Sequence, residues 1–409
     1  LVMVPNSSPM RYLFLLLLAV TSCKQDTQDA STQAAYQDIH ETAVFIDTHN
    51  DMLTKIVEDS LKFDSDLSGI THSDLDRMRT GGLDAQFFSV WSDGTLDEPF
   101  AYANRQIDSL DAVIARNPDK MLKATSSAAI QAAVDQHKLA ALIGVEGGHH
   151  IEHSLEKLDS LYDRGVRYMT LTWNNSTDWA TSATDEWDLE GQRNSEGENG
   201  LTEFGVAVVH KMNSLGMLID ISHVGVNTFW DVMYETTKPV IASHSSVMAL
   251  HTHPRNLNDE QLKAIAKNKG VVQVNFYSAF IDSSFNKKHE AFMTRHQKVY
   301  DSLIASGTSA YAAKASLYER FPEEAEKLRA PFEVLMQHIN YIVDLVGIDY
   351  VGIGSDFDGI SFPPQQLDDV TAYPLITKAL VDKGYSKADI HKLLGGNLLR
   401  VLKANEAQP

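Results

Sequence analysis

A single cysteine, Cys23, stands in 409 residues, so no internal disulfide can form and the fold has to be held by its core. Positive charge is scarce too: 35 Lys and Arg face 55 Asp and Glu, a formal charge of −20. Such a surface keeps a protein soluble and repels phosphate backbones, which excludes nucleic acid as a partner. It does not choose the substrate, because a cleft can carry a local sign opposite to the net one. The apolar run at 12–20 is shorter than the roughly 20 residues that a membrane-spanning helix needs. No glycine-rich phosphate turn follows the first predicted strand, which removes the usual mark of a dinucleotide site.

What is present begins with an export signal. Met10-Arg11 supplies a short basic region, 12–20 a compact apolar one, and residues before Met10 read as an upstream start. Val20-Thr21-Ser22-Cys23 resembles the lipobox of bacterial lipoproteins. That resemblance implies cleavage before Cys23, acylation of Cys23, a cell-envelope location and membrane contact only through the lipid anchor. The alternative is a plain secretion signal with an incidental cysteine. Residues 24–37, rich in Gln, Thr, Asp, Ser and Ala, read as a flexible tether leading to one domain over 38–405.

Within that domain the pattern alternates. Apolar runs at 44–51, 83–90, 139–145, 167–173, 217–222, 239–243, 271–277 and 350–354 predict eight strands. Helical patterns at 73–79, 98–116, 126–136, 155–164, 202–215, 226–236, 259–268, 331–346 and 386–394 fall around them, with Gly395-Gly396-Asn397 expected to close the chain. Residues 174–200 form a long acidic loop, a type that is usually functional or mobile. Residues 282–330 read as a helical insertion between strands seven and eight. Eight strands joined by crossovers long enough for parallel pairing predict a (β/α)8 TIM-type barrel, with an open doubly wound sheet as the competitor.

The polar groups sit where strands end, which in a barrel is one rim. Strand one offers His49 and Asp51, two residues apart and so expected on one face, with Asp47 of the same parity expected to face the interior. Strand three ends in Glu146, strand five in His223, strand six in His244 and strand eight in Asp356. Such a set is costly to bury unpaired, and divalent cations offset that cost. Five ligand-type residues exceed what one tetrahedral zinc takes, so two metals are expected, with Glu146 bridging.

These motifs, in order Asp47-Thr48-His49-Asn50-Asp51, Gly144-Val145-Glu146-Gly147-Gly148-His149, Ile219-Asp220-Ile221-Ser222-His223-Val224, Ser243-His244-Ser245-Ser246, Arg255-Asn256, Val274-Asn275-Phe276-Tyr277 and Gly354-Ser355-Asp356-Phe357-Asp358-Gly359, resemble the membrane (renal-type) dipeptidase family over about 39–402. The resemblance implies two zinc ions per chain, one held by His49 and Asp51 and one by His223 and His244, with Glu146 shared. It also implies hydrolysis of free dipeptides, a homodimer, and Arg255 as the grip on the substrate carboxylate, which suits a planar guanidinium. Asp356 is then placed to carry the proton from water to the departing amine, with Asp358 of the same parity as the less favoured choice. Tyr277 is read as lining the pocket, or else as a rim tyrosine packing on its neighbours. His149 and His150 are read as supporting groups or solvated ones.

One departure stands out. Where better-known members carry a histidine after the Leu-Thr of strand four, this chain has Leu171-Thr172-Trp173-Asn174-Asn175. Trp173 and Asn174 become the substrate-contact candidates there, and side-chain preference is put in doubt. Two other readings compete: a different binuclear-metal hydrolase acting on another amide or ester, and a binding lipoprotein without chemistry. Strand one is His-x-Asp and strand four lacks the lysine that many of the wider hydrolase group use, which favours the dipeptidase branch.

Overall fold

In the computed structural model, which describes residues 36–187 and 200–406, eight strands close into a ring. They are β1 (Ile46–Asn50), β2 (Ala85–Trp91), β3 (Leu139–Glu146), β4 (Val166–Thr170), β5 (Leu218–Asp220), β6 (Ile241–Val247), β7 (Val271–Val274) and β8 (Val351–Ile353). Each pairs in parallel with the next, and β8 pairs back onto β1. The expected (β/α)8 barrel is therefore the fold, and the open sheet is not. Two shorter strands lie outside the ring: Met121–Lys123 beside the start of β3, and Asn256–Leu257 beside the end of β6.

Alternation builds the interior. Ile46, Ala85, Phe87, Ala140, Leu142, Tyr168, Leu218, Ile241 and Val271 form one buried cluster inside the barrel, joined by Leu398, Val401 and Leu402 of the last helix. The residues between them meet the outer helices, as a packed barrel requires. Helix starts follow local capping: Asp74, Ser126, Ser154, Thr202 and Asn258 each accept a backbone N–H of the first turn.

Strand parity fails at two places, and both matter. Between β1 and β2 the register runs Asp47 opposite Gln86 and then Asn50 opposite Phe88, so β1 holds one extra residue between Asp47 and Asn50. Between β6 and β7 the same slip occurs from Ala242 to Ser245. Each is a bulge that re-aims the side chains after it. His49 and His244 are the second residues of these two bulges. The first residues touch across the barrel, where the Thr48 hydroxyl donates to the Ser243 carbonyl at 2.6 Å. Any side chain on Gly354 would overlap both groups.

The bulge corrects one expectation. Asp47 does not face the interior; its carboxylate points outward, accepting from Tyr373 Oη at 2.5 Å, Ser355 Oγ at 2.6 Å and Ser355 N at 2.9 Å. The chain's end differs as well. Gly395-Gly396 does not stop the helix, which passes through a π-helical turn at Lys392–Gly396 and continues as Asn397–Asn405. Gly395 is needed there for close approach, since a Cβ would overlap the Val44 carbonyl and Ile46. Residues 36 and 37, read as the end of the tether, are already helical. The signal segment and Cys23 lie outside the described residues.

The insertion consists of helices Phe285–Ala305, Ala310–Arg320 and Pro322–Ala325. Phe285, Phe292, Leu317 and Leu328 make a cluster of their own with Ala279 and Phe362, so the insertion packs on the loops that follow β7 and β8. Among the described residues no helix is long and apolar enough to cross a membrane.

Candidate metal centre

At the C-terminal rim the strand ends bring five predicted residues together around one carboxylate. Glu146 Oε2 lies 3.3 Å from His49 Nε2, and its Oε1 lies 2.8 Å from His223 Nε2 and 3.3 Å from His244 Nε2. Asp51 Oδ2 is 3.5 Å from His49 Nε2. All five are at least nine-tenths buried. Ligand atoms of His49, Glu146 and His244, and separately of His49, Asp51 and Asp356, come within 4.8 Å of one another.

Hydrogen bonding fixes which ring nitrogens face the centre. Tyr168 donates its hydroxyl proton to the Thr48 carbonyl at 3.1 Å and so accepts from His49 Nδ1 at 2.9 Å. Ser243 donates to Asp220 at 2.6 Å and so accepts from His244 Nδ1 at 2.7 Å. Asn174 Oδ1 lies 3.1 Å from His223 Nδ1 and accepts from it. With every Nδ1 acting as donor, three Nε2 lone pairs turn toward Glu146. The Nε2 atoms of His223 and His244 stand only 2.9 Å apart.

Such an array repels itself unless positive charge sits within it. His49 Nε2 and Asp51 Oδ1 are buried with no hydrogen-bond partner. Burial holds the His223 pKa down at about 3, helped by the charge of Arg255, and burial together with the charge of His49 lowers His244 well below the usual value. Burial also opposes charge on His49, yet the Tyr168 oxygen and the Glu146 and Asp51 carboxylates outweigh it and raise its pKa well above the ordinary range. Glu146 is pushed well below the carboxylate range, because the histidines around it overcome its burial. The donor set of imidazole and carboxylate, with orphaned atoms converging on a common centre, fits divalent metal.

Asp356 stands at the edge of this cluster in left-handed backbone conformation, φ 64°, as does His223 at φ 65°. These conformations are uncommon for residues with side chains and collect at functional sites. Asp356 Oδ2 accepts from Asn275 Nδ2 at 2.8 Å. Burial, with Asp51 and Glu146 close by, raises its pKa well above the ordinary carboxylate value despite the opposing charge of His49. A side chain on Gly359 would overlap the carboxylates of both Asp51 and Asp356.

The other predicted residues divide. Arg255 is buried, donates from Nη2 to the His244 carbonyl at 3.1 Å, and leaves Nε without a partner. Among the described residues it has no ion pair, and burial lowers its pKa to about 10. Its guanidinium lies over the Phe280 ring at 5.4 Å. Asn174 holds the His223 ring. Trp173 meets Trp91 edge to face, centroids 5.1 Å apart. Tyr277 packs against Phe280 and Phe285, toward the insertion. Asp358 binds the loop at His72 and Ser73, accepting from His72 N at 2.6 Å and from the Ser73 hydroxyl. His149 and His150 both reach Ser92 Oγ, at 3.2 and 3.1 Å, and do not join the cluster.

Sequence reasoning missed Tyr168, Asp220 and Ser243, the groups that set the imidazole tautomers. Asp220 accepts from Thr170 Oγ1, Ser222 N and Ser243 N as well. A signal for Tyr168 did exist: it shares inward parity with Thr170, and Gly144 opposite has no side chain, where a Cβ would overlap the Tyr168 ring.

Comparison with known proteins agrees with this picture. The family model described as membrane dipeptidase, peptidase family M19, matches residues 33–408. Among solved structures, the dipeptidase AC, a metallopeptidase of family M19, is 24% identical with a TM-score of 0.73, covering 89% of this chain and 99% of its own. The probable dipeptidase PvdM from Pseudomonas aeruginosa is 23% identical with a TM-score of 0.75, covering 92% and 98%. A metallopeptidase from Rhodobacter sphaeroides, solved with a phosphinate mimic of L-Ala-D-Ala, is 22% identical with a TM-score of 0.71, covering 89% and 100%. At that level of identity these likenesses speak for the fold.

Proposed function

Since the chain belongs to the membrane dipeptidase family, peptidase family M19, and is thereby a metal-dependent dipeptide hydrolase, we propose that it works with two zinc ions on free dipeptides. His49 and Asp51 would hold one ion, His223 and His244 the other, and Glu146 both. The observation that carries this reading is the convergence of three Nε2 lone pairs on a single buried carboxylate. When bound, the ions supply Lewis acidity, which acidifies water and polarises the scissile carbonyl.

The chain's own groups do the rest. Asp356 Oδ1, the oxygen not bonded to Asn275, takes the proton released as water attacks and returns it to the departing amine. Its raised pKa suits both directions of that transfer. Arg255 binds the free carboxylate at the C-terminal end of the substrate, which supplies the counter-ion that the buried guanidinium lacks. Asn174, Tyr168 and Ser243 keep the three imidazoles in register through their Nδ1 protons. Trp173 and Tyr277 stand on the rim beside the substrate.

The test is metal content together with a panel of L,L and L,D dipeptides and their C-terminal amides. Two zinc ions per chain with cleavage of free dipeptides alone is expected. Equal cleavage of an amidated dipeptide would remove Arg255 from the role given. The same reading makes Cys23 the acylated anchor of an envelope enzyme, resting on Val20-Thr21-Ser22-Cys23. Labelled fatty acid should enter the wild type and not Cys23→Ala; equal labelling would refute the anchor.

A further inference from the structure

Two tryptophans, large and only partly buried, border a centre otherwise lined by charged and hydrogen-bonding groups. Trp91 is the last residue of β2 and lies in register with Glu146. It shares inward parity with Phe87 and with Ser89, whose hydroxyl reaches Glu146 Oε2 at 3.4 Å. Trp173 follows β4, three residues beyond Thr170, and its ring meets Trp91 at 69° with centroids 5.1 Å apart. Neither ring is in the core, since both keep intermediate exposure.

The loops that carry them are pressed together above the end of β3. A Cβ on Gly94 would overlap the Asn175 amide. Behind Trp91, Ser92 is held by His149 and His150, whose rings lie 4.2 Å apart. The two indoles therefore form a braced corner, and a surface of this kind beside water is stabilised by apolar cover.

Its position in the ring decides what would cover it. β2 stands opposite β6, four strands away in either direction. Arg255 follows β6 and donates to the backbone of His244. A dipeptide reaches about 7 Å when extended, at roughly 3.3–3.6 Å per residue. With its carboxylate at Arg255 and its peptide bond over Glu146, its N-terminal residue lies toward β2, β3 and β4.

We propose that the Trp91–Trp173 corner is the specificity-determining surface for the substrate's N-terminal side chain, and that it selects aromatic and large aliphatic residues there. The inference rests on the dipeptidase reading and deepens it. It also gives Trp173 a task that needs no proton transfer, in keeping with an indole that can only donate.

The experiment compares kcat/KM for Phe-Ala, Leu-Ala and Gly-Ala with that for Ala-Phe, Ala-Leu and Ala-Gly, using the zinc-loaded wild type, Trp91→Ala, Trp173→Ala and Trp173→Phe. Wild type is expected to prefer Phe-Ala and Leu-Ala to Gly-Ala by about tenfold to a hundredfold, the range for filling an apolar pocket. Each alanine variant should cut that ratio by about tenfold, chiefly through KM, while the order within the Ala-Xaa series holds. Trp173→Phe should keep most of the preference. Should an alanine variant fail to fold, Trp91→Leu and Trp173→Leu keep apolar volume and are expected to fall between.

An unmoved ratio, or a loss spread equally over both series, would overturn the corner and leave the dipeptidase reading standing. A wild type that cleaves none of the six would overturn that reading and the corner with it.

Discussion

Glu146 is ringed by three imidazole Nε2 atoms, and what turns them toward it lies one bond further out. Tyr168, Ser243 and Asn174 claim the Nδ1 protons, so the centre's chemistry is set by residues that never reach it. Tyr168→Phe removes the acceptor for His49 Nδ1 and should weaken metal affinity by about 10- to 100-fold, read by competition with a chromophoric chelator. Asp356 tests the opposite case. Asp356→Asn is expected to keep its metal, measured by elemental analysis, and to lose about 10²- to 10⁴-fold in kcat, the usual worth of a positioned proton carrier. A mutant as fast as the parent would exclude the residue.

Among the elements, β1 and β6 repay comparison because each departs from regular pairing at the step that delivers a histidine. The Thr48 hydroxyl ties the two irregular steps together and also lies 3.2 Å from the Ile353 carbonyl. Thr48→Val keeps the shape and leaves buried carbonyls less well satisfied, at a cost of about 1–3 kcal/mol, visible as a lower denaturant midpoint at unchanged slope. These steps also show how far the sequence could be read. Short apolar runs announced all eight strands, and strand ends announced His49, Glu146, His223, His244 and Asp356. Counting by twos through Asp47 to His49, however, assumed an unbroken pleat. The structure turns Asp47 out to Tyr373 and His49 in, because a bulge carries no periodic signal. The helices Met52–Glu58 and Pro374–Lys383 escaped notice for a simpler reason. The first is only seven residues long and its Asp51 makes no side-chain cap, so its start was indistinct.

At the scale of the whole molecule, stability and function are drawn from opposite ends of the barrel. Asp84, just before β2, accepts the Phe45 N–H at 2.8 Å. Burial pushes its pKa to about 6, against the opposing effects of that bond and of His137. A carboxyl whose folded pKa is raised binds its proton more tightly in the native state, so the stability it lends is present in acid and fades as pH rises from about 4 through 6. Asp84→Asn keeps an acceptor and should flatten that decline, by up to about 2–3 kcal/mol, in denaturation curves taken at pH 4 and pH 7. At the other end, the insertion's Phe285 backs Tyr277, which packs on Phe280 beneath Arg255. Phe285→Ala is expected to raise KM for dipeptides more than it lowers kcat, as steady-state kinetics would show.

The two slipped registers also bear on protein engineering. Grafting these imidazoles and carboxylates, position by position, onto an idealised barrel with uninterrupted pleats would send His49 and His244 toward the surrounding helices. A transplant would have to carry the surplus residue in each of the two strands, because the backbone irregularity is itself part of what binds.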